Sequence, residues 1–315
     1  MFARYLVSRV ASVIGVLFAV SVITYGLIHL TPGDPAETIL TQQLEQPPTP
    51  QQVEEFRAEQ GLDEPVYIQY VHWLGDVLQG DLGVSYYNDR SVSALMIEAL
   101  PATVELAVAG MLVSLAIALP AGVLSAVYQN TRIDRISQIV ALLGVSVPNF
   151  WLGFMLILVF SIYLGVLPVS GVGGLDHLIL PAIALGTGMA AVVTRLVRTS
   201  MLEVMEAEYI DTARSAGLSE RIVIWKHTLR NALIPVVTVV GLQFGRVLNG
   251  TVVIEIVFDR PGLGALLVEA IFARDYPVVQ GVVLLTAVVF VVSNFCVDLL
   301  YKRLDPRVTL GEQAQ

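Results

Sequence analysis

Apolar residues in this chain fall in blocks of about 20, the length that crosses ~30 Å of hydrocarbon at 1.5 Å of helix rise per residue. Six blocks can be placed, at 10–30, 102–128, 137–163, 178–197, 233–258 and 277–301. The first follows Arg4 and Arg9 as a signal peptide would, yet it is too long and lacks a small-x-small cleavage site before Thr31, so it reads as a retained helix. The pattern predicts an all-α integral membrane protein with six transmembrane helices. Three parts follow: residues 1–30 as the first transmembrane helix, 31–98 as an extracytoplasmic segment, and 99–315 as a core of five helices.

Two polar stretches interrupt the blocks. Residues 31–98 are too long for a plain connection and need structure of their own. Thr49-Pro50 is a cap followed by a first-turn proline, opening a helix to Gln60 that Gly61 stops. A second helix runs from Pro65 to just before Gly80, with Val66, Tyr70, Trp73, Leu74, Val77 and Leu78 along one side. Tyr and Trp suit the headgroup level, so this is an interfacial helix or one packed against the spans; the stripe fits both.

The other polar stretch, 203–235, lies between the fourth and fifth blocks. Good helix formers over 206–216 predict a short helix, and Gly217 supplies a stop where a left-handed backbone is needed. Ser219 caps a second helix whose Ile222, Ile224, Trp225 and Leu229 lie against the membrane while Arg221, Lys226 and Arg230 face water. A helix–Gly–helix knuckle held at a membrane surface by two spans suits a docking element for another protein.

Composition agrees: 55% of residues are hydrophobic, 14% are charged and mean hydropathy is +0.72, which excludes an ordinary water-soluble domain. Charge sets the orientation. With the amino terminus inside, 13 of the 18 Lys and Arg fall on the cytoplasmic side, whereas Arg57, Arg90, Arg260 and Arg274 fall outside. Both termini are therefore expected in the cytoplasm. The segment 31–98 carries 12 acids against 2 bases, as a salt-rich environment or a partner-binding surface would require. Cys296 is the single cysteine, so no internal disulfide or thiolate cluster forms.

Candidate chemistry is sparse. No G-x-x-x-x-G-K-[ST] occurs and the only lysines are Lys226 and Lys302, so the chain does not split ATP through a P-loop. His29, His72, His177 and His227 are isolated, and neither Ser146 nor Ser170 completes a G-x-S-x-G elbow. No catalytic residue, metal, cofactor or nucleic-acid partner is expected. Prolines and glycines within the spans, among them Pro120, Pro148 and Pro181, serve close helix packing or the kinks of a moving bundle. Glu105, Glu255 and Asp298 sit near span ends, where carboxylates cap or snorkel. Arg246 lies ~17 Å along the helix from Pro235, close to mid-membrane, with Gln243 and Asn249 three residues to either side. It faces a wet path or pairs with Glu105.

Several of these stretches resemble one family. The knuckle is similar to the cytoplasmic "EAA" loop of ABC importer permeases, E-A-A-x3-G-x9-I-x-L-P, with Asp211, Thr212, Ala213, Gly217 and Leu229 in the E, A, A, G and L places. His227 and Arg230 stand where Ile and Pro are expected, and the proline comes later, as Pro235 in RNALIP. That departure resembles the dipeptide/oligopeptide (peptide/nickel) permeases. LTPGDP at 30–35, GLDEP at 61–65, GDLGVS at 80–85, LPAT at 100–103, LPVSG at 167–171, RLVRTSMLEV at 195–204, PGLG at 261–264, RDYPVVQG at 274–281 and LDPRV at 304–308 extend the likeness over nearly the whole chain. Arg246, and Ser91 where proline is usual, depart from it.

The resemblance implies a multi-pass subunit of the cell membrane that performs no bond chemistry. It would form a heterodimer with a second homologous permease, dock two P-loop ATPase subunits inside and receive cargo from an extracytoplasmic substrate-binding protein. It implies di- or oligopeptide cargo, with nickel or glycosides as the family's alternatives, and contacts with membrane lipid. ATPase coupling falls to Glu208, Asp211, Thr212, Ala213, Arg214, Gly217 and Leu229, and Gln243, Arg246 and Asn249 are the candidate path. A self-contained secondary carrier is the rival class, but the halves show no inverted self-similarity.

Overall fold

A segment held in lipid has no water to satisfy its backbone, so long apolar stretches close their hydrogen bonds internally as helices. The computed structural model describes residues 2–30, 34–44, 47–59 and 61–304 and is helical nearly throughout. Among the described residues the one β feature is an antiparallel bridge between Val84 and Ser91. Four helical segments are long and apolar enough to cross a membrane: Arg9–Gly26, Val92–Val127, Asp176–Met205 and Tyr276–Phe295. A bent pair, Arg132–Ser146 and Asn149–Tyr163, makes a fifth if it counts as one span.

The chain forms two compact units, Met1–Ala102 with Pro261–Val291, and Thr103–Arg260 with Val292–Gln315. The first unit holds α1 (Phe2–Leu30), α2 (Pro35–Gln43), α3 (Pro50–Glu59) and α4 (Val66–Leu78). It also takes the start of α5 (Val92–Val127), α12 (Leu263–Phe272) and the first half of α13 (Tyr276–Leu304). The expected Thr49 cap is present: the Gln52 N–H donates to Thr49 Oγ1 at 3.4 Å while Gln52 Oε1 accepts from the Thr49 N–H at 2.8 Å, a reciprocal capping box. Gly61 then ends α3 at φ +64°. The stripe on α4 packs against α1, with the Tyr70 and Trp73 rings 5.5 and 5.2 Å from the Tyr25 ring. Val66 and Leu78, at the two ends of the stripe, stay exposed. The core of this unit joins Val92, Leu95, Met96 and Ala99 to Leu263, Ala270, Val278 and Val282. Beside it the buried Asp275 carboxylate accepts from Ser85 Oγ and from the Tyr86 N–H, tying GDLGVS to RDYPVVQG. Burial and the neighbouring Asp275 charge push the Tyr86 phenol above its ordinary value.

The second unit is built around α8 (Asp176–Met205). With it stand α6 (Arg132–Ser146), α7 (Asn149–Leu156), α9 (Glu208–Ser215), α10 (Glu220–Ile222) and α11 (Leu229–Val257). A π-helical turn follows α7 at Ile157–Tyr163 and another precedes α11 at Val223–Thr228. Where α5 meets α8, a Cβ on Gly186 would stand 2.5 Å from the Gly110 carbonyl oxygen, so only a bare glycine allows the approach. Pro181 has no N–H to give the His177 carbonyl four residues back, and Arg260 Nη1 donates to that oxygen at 3.4 Å.

Three expectations change in detail. The block 137–163 is not one straight helix: the chain turns by 100° at Val147-Pro148, where Val147, as the residue before a proline, is pushed out of the helical region and Pro148 follows it with an extended ψ. The second and fourth helices overrun their apolar blocks, starting at Val92 and ending at Met205. α2 and α12 are additional. α2 opens on Asp34, whose carboxylate accepts from the Ala36 N–H at 3.0 Å, with Pro35 in the first helical position.

Candidate functional site

The polar stretch 203–235 folds as a knuckle. α8 ends at Met205, Ala207 turns the chain at ψ 139°, and α9 starts at Glu208, two residues later than the propensities placed it. One residue anchors α9: Ile210 is fully buried, whereas Glu208, Asp211 and Thr212 are exposed. Gly217 has φ +79°. Around it the Leu218 N–H bonds the Ala213 carbonyl at 3.3 Å and the Gly217 N–H bonds the Arg214 carbonyl at 3.0 Å, the two closures of a Schellman motif.

Arg214 spans the turn. It donates to Glu220 on α10 at 3.0 Å and to Asp211 on its own helix at 3.4 Å, and these carboxylates, Glu220 foremost, hold its guanidinium above its ordinary value. Across the knuckle Asn231 Nδ2 donates to Tyr209 Oη at 3.1 Å. The exposed face of α9 therefore belongs to a braced element.

Past the turn, the expected amphipathic helix takes a different register. Ser219 holds the N-cap position, but its side chain makes no cap hydrogen bond; its carbonyl accepts from Ile222 and Val223 instead. The π-helical turn Val223–Thr228 rotates the following apolar positions. Val223 is fully buried, and Ile224 and Leu229 pack against the cluster of Val193, Val197, Met201 and Ala232. Ile222 and Trp225 remain exposed. Of the seven residues in the coupling group, Leu229 alone packs inward along with its neighbours; Ala213 and Arg214 are half-buried.

Of the path candidates, Gln243 is partly buried on α11 and its Nε2 has no hydrogen-bond partner among the described residues. The side chains of Arg246 and Asn249, like those of Cys296 and Asp298, lie outside the described residues. The expected alternative of a Glu105–Arg246 pair also lies outside the described residues. Among the described residues, Glu105 pairs with Arg260, buried with 2% of its side chain exposed, at 2.7 Å. Glu255 is fully buried and accepts from Thr103 Oγ1 at 2.7 Å, inside the unit where a snorkelling position was expected. Sequence reasoning also passed over Asp134. Its carboxylate takes a two-pronged grip from Arg198 at 2.8 and 2.9 Å, plus bonds from Ser125, the Asn130 N–H and Gln138. RLVRTSMLEV supplied the arginine as a signal, and Asp134 as the lone acid between the second and third blocks could have suggested the partner.

Residues 118–310 match the family described as "Binding-protein-dependent transport system inner membrane component", and residues 1–107 match its amino-terminal companion. The chain belongs to this family. It is an ABC importer permease subunit, a multi-pass membrane protein. Among relatives of this permease, the glutathione transport system permease protein GsiC of Escherichia coli K12 is 41% identical over 305 residues, 97% of this chain and 98% of that one. GsiC of Shigella flexneri serotype 5b has the same identity and coverage. Among solved structures, an inward-facing methionine ABC transporter MetNI has TM-score 0.58 at 18% identity, covering 67% of this permease and 96% of that chain. An amino acid ABC transporter with histidines has TM-score 0.55 at 14% identity, covering 67% and 94%. At these identities the two structures speak for the fold of the permease alone.

Proposed function

We propose that this permease carries di- or oligopeptides, pairing with a second homologous permease so that their cores form one translocation path. The observation that carries the cargo class is the 41% identity, along nearly the whole chain, to a permease named for glutathione, itself a tripeptide. Six spans with both termini in the cytoplasm fit the four apolar helices, the bent pair and α11, a continuous helix of 29 residues. The segment 31–98 then lies outside, 99–315 forms the core, and the knuckle faces two P-loop ATPase subunits.

ATP binding closes the ATPase pair, and the exposed Glu208, Asp211 and Thr212 of α9 receive that motion. The Ala213–Gly217 turn and the Arg214 brace pass it as a rigid body to α8 and α11, and Leu229 seats the far side of the knuckle in the apolar cluster. The path alternates between outward and inward access because docking contacts differ between the two states. Gln243, with Arg246 and Asn249 on the same stretch of α11, lines that path; an amide whose Nε2 is unpaired among the described residues suits a wet lining. Cargo arrives from an extracytoplasmic binding protein. To test the cargo class, the binding protein that copurifies with the assembled complex is titrated with a tripeptide, a dipeptide, Ni2+ and a β-glucoside. Saturable peptide binding is expected; binding of Ni2+ or the glucoside in its place would move this permease to another branch of the family.

A further inference from the structure

The first unit contains a cavity of about 570 Å3, within the range of small-molecule sites. One wall is aromatic: the Tyr25 and Trp73 rings stand 5.2 Å apart, and Tyr276 joins them in the lining. Four acids also line the cavity. Two are engaged, Glu64 with His72 at 3.5 Å and Asp81 with the Gly83 N–H at 2.9 Å. The Asp76 and Asp89 carboxylates have no hydrogen bond or ion pair among the described residues, and no lysine or arginine there lines the cavity.

Gln280 is the independent observation. It is 6% exposed, it lines the cavity, and its side chain makes no hydrogen bond among the described residues. The amide faces the cavity and is not taken up by the protein around it, so a ligand group that enters can bond it. The excess of negative charge calls for a cation. Among the described residues no three His, Cys, Asp or Glu side chains converge to hold a metal ion, whereas an aromatic face with free carboxylates beside it suits an organic one.

We infer that this cavity binds a small organic cation, an ammonium or guanidinium group held by Asp76 and Asp89 against the Tyr25–Trp73 wall, with the Gln280 amide oxygen accepting one of its N–H protons. The site belongs to the first unit and does not depend on what the core transports.

Calorimetric titration of the full chain in lipid nanodiscs tests this with three probes: Nα-acetyl-arginine amide, Nα-acetyl-lysine amide and Nα-acetyl-citrulline amide, whose urea matches the guanidinium in shape without its charge. The two cations are expected to bind saturably at one per chain, at least tenfold tighter than the citrulline derivative and more weakly as salt rises. Asp76→Asn with Asp89→Asn should weaken the cations at least tenfold; both positions are exposed, and an unchanged melting temperature confirms the fold. Gln280→Leu should weaken them also, and if it fails to fold the asparagine pair still decides. A fourth probe, alanyl-alanine, separates sources: binding extends the site to peptide amino termini, and its absence confines it to free cations. Equal binding of the citrulline derivative, no saturable binding of either cation, or indifference to the asparagine pair would overturn the inference.

Discussion

At the scale of single residues, the buried Asp134 and Arg260 of the second unit each meet an oppositely charged side chain far along the chain. Asp134 meets Arg198 and Glu105 meets Arg260, with sequence separations of 64 and 155. Removing one member of a buried pair strands the other, at a cost of ~3–5 kcal/mol, and Arg198 keeps 20% of its side chain exposed, which places Asp134→Ala at the low end, about 3 kcal/mol. The expected result is a clear fall in the detergent-solubilised melting temperature, partly recovered when Arg198→Met removes the stranded cation. A melting temperature unaffected by Asp134→Ala would show that the pair does not hold α6 to α8. Local periodicity gives neither pairing, because it says which face a residue takes and nothing about a partner 64 or 155 positions away. Mid-membrane position drew attention to Arg246 as one alternative for Glu105, whereas proximity in the fold, invisible to spacing, brings Arg260 to it.

At the scale of elements, start and stop chemistry was the most readable part of the chain. Thr49-Pro50, Gly61 and Gly217 each act where their backbone preferences put them, since a cap or a positive φ is a local property. The 100° bend at Val147-Pro148 and the π-helical turn at Val223–Thr228 were not readable to the same degree; a run of residues looks alike whether its helix is straight, broken or underwound. Gly217 offers a clean test of the knuckle. Among the described residues, no atom beyond its two chain neighbours lies within 4 Å of where its Cβ would be, so Gly217→Val acts through its own backbone at φ +79°, a strain of ~1–3 kcal/mol. The Schellman closure should open and α9 should lose its bearing on α10 while the long helices insert normally. Purified complex carrying Gly217→Val is expected to show full subunit amounts in the membrane yet reduced ATPase attachment or reduced stimulation of hydrolysis by loaded binding protein. Full stimulation together with full transport would make the knuckle a mere connection. Asp211→Lys, on the exposed face of α9, should act in the same direction and more weakly, because water screens that face.

At the scale of the whole molecule, the class of protein was written in composition and block length, because the bilayer imposes both on any chain that crosses it. The orientation rests on charge: 13 of 18 Lys and Arg fall on one side when the amino terminus is placed inside. Thiol labelling in intact cells tests that orientation directly, since Cys296→Ser leaves the chain without a thiol against which single cysteines can be read. The reporting positions have to be open to reagent as well as correctly placed. Asp275 is unsuitable, being 3% exposed and bonded to Ser85 and Tyr86, whereas Asn88, Arg132 and Ser215 are exposed. An impermeant maleimide should therefore modify Asn88→Cys in intact cells and leave Arg132→Cys and Ser215→Cys untouched until the membrane is opened. Asn88 sits in the turn that leads into α5, and Ser215 ends α9, so one reporter lies in the acidic segment and the other in the knuckle. Modification of Ser215→Cys from outside would put the knuckle on the wrong face to meet an ATPase. The six-span arrangement and the coupling role would then fail together, because α8 and α11 deliver the knuckle to whichever side their ends occupy.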